Sequence, residues 1–293
     1  MKGSKALIIL SISLVFLAVI SAGVGLFWNG GGSPFSFTTV HGETSQIYGH
    51  GLYKFDTLMK APIFRGTDAA ILFVATPFLI FSIYQYSQGT LKGQLLLLGS
   101  ITCFLYYSSA LVFGVAYNQL FIVYVAFFSV SLYAFILGFM TINLQELPSK
   151  ILPSFPHRGI SLFLIISGIL VFVVWFLDII VSLVNGHVPV GIESYTTEVT
   201  YVLDLGIISP TTILIGILLT RRVPISYPLA SSLLILCSLI GIIVVSQTIA
   251  QLVVGVSITP GQLIAFVGVF VCLSLFAAGL TIKLFRNIRN EQQ

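Results

Sequence analysis

Tyr195–Arg222, YTTEVTYVLDLGIISPTTILIGILLTRR, decides the reading of the whole chain. It runs from a polar mouth through an acid, Asp204, into an apolar stretch that contains Pro210 and stops at Arg221 and Arg222. An apolar segment of ~20 residues crosses ~30 Å of hydrocarbon. Proline is tolerated inside such a segment because neighbouring helices re-satisfy the backbone groups it frees. The stretch therefore predicts a membrane helix. The same order occurs earlier, where Asp68 is followed by apolar residues, Pro77 and then Lys92.

Composition agrees with that reading. The chain is 57% hydrophobic and 8% charged, with a mean hydropathy of +1.07, against the ~25% charged of ordinary soluble domains. Long apolar runs, rather than short alternating segments, predict an all-α polytopic transmembrane helical bundle and exclude a β-barrel. About eight spans are predicted, at 6 to 28, 69 to 87, 94 to 116, 119 to 141, 160 to 183, 205 to 220, 228 to 254 and 262 to 284. They make one integral membrane domain, 1–293. The first run exceeds the ~7–15 apolar residues of a signal peptide and reads as a retained span. Two long outer loops, 29–68 and 184–203, cap one end, and the aromatic and apolar content of the first predicts a folded cap.

Basic residues set the orientation. With a cytoplasmic N-terminus, ten of the thirteen lysines and arginines fall in inner segments, from Lys2 and Lys5 to Lys283, Arg286 and Arg289. Only Lys54, Lys60 and Arg65 fall outside. Most acids lie at the outer ends, with Glu146 and Glu291 inside. The lysine and arginine bias predicts that both termini are cytoplasmic. Asp68, Pro77 and Cys103 recur as Asp204, Pro210 and Cys237 at offsets of 133 to 136 residues, so a parallel four-plus-four repeat with halves 1–145 and 155–293 is expected.

Polar residues inside spans are costly and are read as functional first. Asp68, Asp178, Asp204, Arg65 and Gln247, with Gln251, Tyr106, Tyr107, Ser108 and Ser109, gather toward one level and predict an outward-facing polar vestibule. For Asp68 and Asp204 the plainer reading is helix capping, in which the carboxylate meets free N–H groups and the positive end of the dipole. Asp178 lies near the C-terminal end of its helix, the wrong end for an anion, and needs a partner. Arg65 is the expected one.

Several chemistries are excluded. His41, His50 and His187, with Glu43, Glu193 and Glu198, match no metal-ligand spacing, so no metal is expected. No histidine or lysine stands mid-span to hold a haem or a retinal, and neither GxxxxGK[ST] nor GxSxG occurs. No cofactor is expected. Cys103, Cys237 and Cys272 lie in apolar runs and read as small core residues rather than a disulfide framework. The basic C-terminus suits lipid headgroups rather than nucleic acid.

At YGHGLYKFD (Tyr48–Asp56), YNQLFIVY (Tyr117–Tyr124) and YTTEVTYVLDLGIISP (Tyr195–Pro210) the chain resembles a family of multi-span membrane proteins of bacteria and archaea that has no assigned activity. The resemblance covers most of the chain. It implies a prokaryotic cytoplasmic membrane and carries over no catalytic residue.

Three functions fit these residues. The first is a transport-related permease that admits a small molecule through the vestibule. The second is a membrane enzyme acting on a lipid or exported substrate at the outer face, with carboxylates from Asp68, Asp178 and Asp204 as acid and base. The third is a noncatalytic sensor or assembly factor. Membrane lipids and an unidentified small molecule or lipid are the expected partners.

Overall fold

A computed structural model describes residues 4–289. Lys2 and Glu291, which entered the charge asymmetry, lie outside the described residues. Among the described residues eight helices are long and apolar enough to cross a membrane: α1 Lys5–Phe27, α2 Lys60–Ser87, α3 Leu91–Gly114, α4 Phe121–Met140, α5 His157–Asn185, α6 Val199–Thr220, α7 Ser226–Val253 and α8 Val269–Arg286. The fold is an all-α helical bundle of the multi-pass membrane class.

Local sequence explains how the spans start and meet. Ser4 caps α1 by accepting from Leu7 N–H, and Thr90 caps α3 by accepting from Gly93 N–H. The buried face of α1 is Leu7, Ser11, Leu14, Ala18, Ser21, Ala22 and Gly25, a stripe of mostly small side chains at helical spacing. Such a stripe lets neighbouring backbones approach closely, and α1 packs on α2 and α4 along it. Helix α3 is central: it lies against α2, α4 and α7, and 67% of its most apolar stretch is buried, against at most 44% for any other span. Helices α5 and α6 form a close pair, as do α7 and α8.

Two spans start earlier than their apolar runs predict. Helix α2 begins at Lys60 and α6 at Val199, so Asp68 and Asp204 lie inside helices and cap neither. Pro62 is accommodated because the first turn has no intrahelical partner for its missing N–H. Each helix carries a π turn, Ile71–Ala75 in α2 and Asp204–Ile208 in α6, and a proline, Pro77 or Pro210, stands two residues after each. A third π turn, Leu263–Gly268, precedes α8.

The first long loop folds, as its composition predicts, but around strands as well as turns. Phe35–Thr38 (β1) and Thr44–Ile47 (β2) form an antiparallel hairpin that pairs Phe35 with Ile47 and Thr38 with Thr44. Tyr48, Leu52, Tyr53 and Ala61 make a small core beneath it. Gly49 is indispensable there: its φ is +82°, and a Cβ would stand 2.0 Å from the Ser33 carbonyl oxygen. At the opposite end, the segment between α4 and α5 is tied to the end of α8, where Leu152 N–H donates to the Asn287 carbonyl (2.9 Å) and Arg289 N–H to that of Lys150 (2.9 Å).

Candidate functional site

Adjacent residues on the central helix organise the site. Tyr106 and Tyr107 of α3 point about 100° apart around the helix axis, so one side chain reaches α6 and the other α2. Tyr107 Oη donates to Asp68 Oδ1 at 2.6 Å, and Tyr53 Oη of the cap donates to Asp68 Oδ2 at 2.6 Å. Tyr106 Oη donates to Asp204 Oδ1 at 2.9 Å, and Trp175 Nε1 of α5 to Asp204 Oδ2 at 2.8 Å. Each carboxyl thus takes one aromatic donor per oxygen. Among the described residues neither forms a salt bridge.

The surroundings of the two differ. Asp68 is fully buried. It sits eight residues into α2, ~12 Å along the axis from Lys60, and α1 crosses so closely that a Cβ on Gly25 would stand 2.0 Å from Asp68 Oδ2. Asp204 is half-buried, and beyond its own turn of helix nothing comes within 4 Å of a Cβ built on the nearby Gly206.

Arg65 is not the partner of Asp178. It lies one turn before Asp68 and donates to Tyr48 Oη (2.8 Å), Asn29 Oδ1 (2.9 Å) and the Leu26 carbonyl (2.9 Å). The guanidinium so caps the C-terminal end of α1, where the helix dipole favours a cation. Asp178 accepts instead from the Tyr201 hydroxyl of α6. Nor does it turn into the bundle. Its side chain is exposed near the C-terminal end of α5, where a carboxylate costs less than in mid-span. Gln247 joins helices: its Nε2 donates to Thr67 Oγ1 (2.8 Å), and beside it Ser246 Oγ donates to the Gly66 carbonyl (2.6 Å), fixing α7 to α2 one residue before Asp68.

Above this layer the two long loops, 29–68 and 184–203, are knitted together. Lys60 pairs with Glu198, Thr57 Oγ1 donates to Glu193, and Tyr195 Oη donates to Asp56 Oδ1 at 2.7 Å. Asp56 Oδ1 also accepts from Ala116 N–H in the α3–α4 turn (2.9 Å). Burial pushes the Asp56 carboxyl up to about 7, against the smaller opposing effect of those two donors. Burial likewise raises Glu193, and it raises the Tyr195 phenol together with the Asp56 charge. The expected open vestibule is therefore a closed layer of paired side chains. A pocket of about 370 Å³ at this end is lined by Phe55, Tyr117, Asn118, Gln119, Phe121 and Ile122, and by none of Asp68, Asp178, Asp204, Arg65 and Gln247.

The histidines and acids of these two loops do not converge. Among the described residues no group of three or more His, Cys, Asp or Glu is placed to hold a metal ion; His50 lies on the Tyr48 ring at 3.9 Å between centroids, and His41 and His187 are exposed. Sequence reasoning missed Tyr53, Trp175, Tyr195 and Asp56 as members of the network. Their signal was the repeated placing of Tyr, Trp and Asp in otherwise apolar or glycine-rich surroundings.

Fold and site together define a multi-pass helical membrane protein with two carboxyls held inside its spans by aromatic donors. Compared with family models, with curated proteins and with solved structures, the chain matches none.

Proposed function

We propose that this protein is a transport-related permease of a prokaryotic cytoplasmic membrane, in which Asp68 and Asp204 take up and release a proton as a solute crosses. The observation that carries this reading is the pair of intramembrane carboxyls without a salt bridge, one on each side of Tyr106 and Tyr107. Intramembrane acids are costly and mark ion and substrate pathways. The π turns and prolines beside both acids add support, because interrupted helices form the binding sites of many transporters and π turns cluster at functional sites. The sealed outer loops make this the outward-closed form of such a cycle.

The test uses the full chain in liposomes loaded with a pH-sensitive dye and exposed to pools of amino acids, sugars, nucleosides, organic acids and polyamines. At least one pool should acidify the lumen with the native protein and fail to do so with Asp68→Asn. If every pool gives the same trace for native protein, Asp68→Asn and empty liposomes, the proposal fails. The basic-residue asymmetry supports an orientation with both termini cytoplasmic. In a cysteine-free background, Glu43→Cys should then react with an impermeant reagent in intact cells and Arg221→Cys only after permeabilisation; both side chains are exposed.

A further inference from the structure

Near the pocket and Asp68 lies a set of buried polar atoms that the site above does not use. Among the described residues Asp56 Oδ2, Asn118 Nδ2 and Tyr124 Oη are all buried and make no well-aligned hydrogen bond, Tyr124 Oη standing in looser reach of the Asn118 and Tyr53 side chains. An unpartnered buried polar group costs about 1–3 kcal/mol, and three in one neighbourhood point to a shared partner. Their placement is contiguous. Asn118 lines the 370 Å³ pocket beside Phe55, the neighbour of Asp56 in sequence. Tyr124 sets its hydroxyl beside the Asn118 amide and the Tyr53 hydroxyl, and within electrostatic reach of both Asp56 and Asp68. Tyr53 in turn donates to Asp68.

The donor set decides which partner would suit these atoms. Asn118 Oδ1 already accepts from Leu120 N–H at 2.9 Å, which fixes the amide so that the N–H₂ group faces inward. An N–H₂ group repels a metal cation, but it suits the oxygen of a water molecule. Water also gives one hydrogen to Asp56 Oδ2 and meets Tyr124 Oη, which is three polar partners, within the two to four that a buried water needs. Asp56 Oδ1 is taken by Tyr195 and Ala116, so Oδ2 is the oxygen left to carry a proton.

We propose that water held by Asp56, Asn118 and Tyr124 relays protons from the outer pocket to Asp68. In one transfer the Asp56 Oδ2–H proton passes to the water, and a proton of that water passes to Tyr124 Oη. The Tyr124 proton moves to Tyr53 Oη, and the Tyr53 proton moves to Asp68 Oδ2. Each intermediate group gains one proton and loses one, so Asp56 ends as the carboxylate and Asp68 as the acid. The raised Asp56 carboxyl, at about 7, suits it to load from neutral solution. The relay deepens the transport reading and rests on it for its purpose, but its chemistry is measurable without any solute.

The experiment is infrared difference spectroscopy of the purified full chain after a jump into D₂O and after a jump in pH, with the carboxyl signals of Asp68 and Asp204 assigned by their loss in Asp68→Asn and Asp204→Asn. In the native protein the Asp68 signal should respond promptly. Tyr124→Phe keeps the ring and removes the hydroxyl, and Asn118→Ala removes the amide that holds the water at the mouth. Each should slow the Asp68 response while leaving that of Asp204 unchanged. An Asp68 response at the native rate in both variants, or none in the native protein, overturns the relay. Slowed exchange in the variants together with no solute-driven acidification in liposomes upholds the relay and rejects the permease instead.

Discussion

Asp68 and Asp204 use one device in two settings. Both sit in a helix with a π turn followed by proline, both accept two aromatic hydrogen bonds, and both take one of those bonds from the same turn of α3. Around Asp68 the cap above, Gly25 of α1 and the α7 contact at Thr67 close every side. Around Asp204 the half-buried carboxyl shares its donors with α5, the helix that also leaves Asp178 exposed. The difference teaches that the hydrogen-bond set alone does not define such a site. What encloses it decides how strongly each donor depends on the acid and which route a proton can take.

The sharpest way to break the comparison is to delete each acid. Asp68→Ala strands two buried tyrosine hydroxyls, at about 1–3 kcal/mol each, and should lower thermal stability in detergent by far more than Asp204→Ala, whose donors lie nearer the surface. Relief of the carboxyl's own desolvation acts in both variants, so the difference between them reads the enclosure. Equal losses would show that the two settings are equivalent.

A smaller effect is expected from the glycines. Gly25→Ala drives a methyl group onto Asp68 and should cost about 1–3 kcal/mol as an overpacked contact. Gly206→Ala, with open space around it, should stay within about 0.5 kcal/mol of the native protein. A tolerated Gly25→Ala would mean that α1 does not seal the Asp68 site.

The smallest effect is that of single donors. Tyr107→Phe and Tyr106→Phe each remove one intramembrane hydrogen bond, worth on average about 0.6 kcal/mol and at most about 1.7. The loss should be larger for Tyr107, and a double change with the matching aspartate should reveal coupling within each pair but none across them. Coupling between Tyr106 and Asp68 would merge the two sites into one.

The sequence by itself determined the class, the eight spans and the folded cap, because a span is a local sum: enough apolar residues in a row outweigh the cost of leaving water, whatever lies elsewhere. It also marked Asp68, Asp204, Pro77 and Pro210 as departures from that sum. Tertiary structure alone decided what each acid meets. The partners of Asp68, Asp204 and Asp56 lie 15 to 139 residues away in the chain, and which side chain arrives depends on the rotation and register of helices whose apolar faces look alike in sequence. The helix starts at Lys60 and Val199 were hidden for the same reason. A carboxylate reads as a cap until a tyrosine or tryptophan from another helix satisfies it in mid-span, and then the backbone runs on through it.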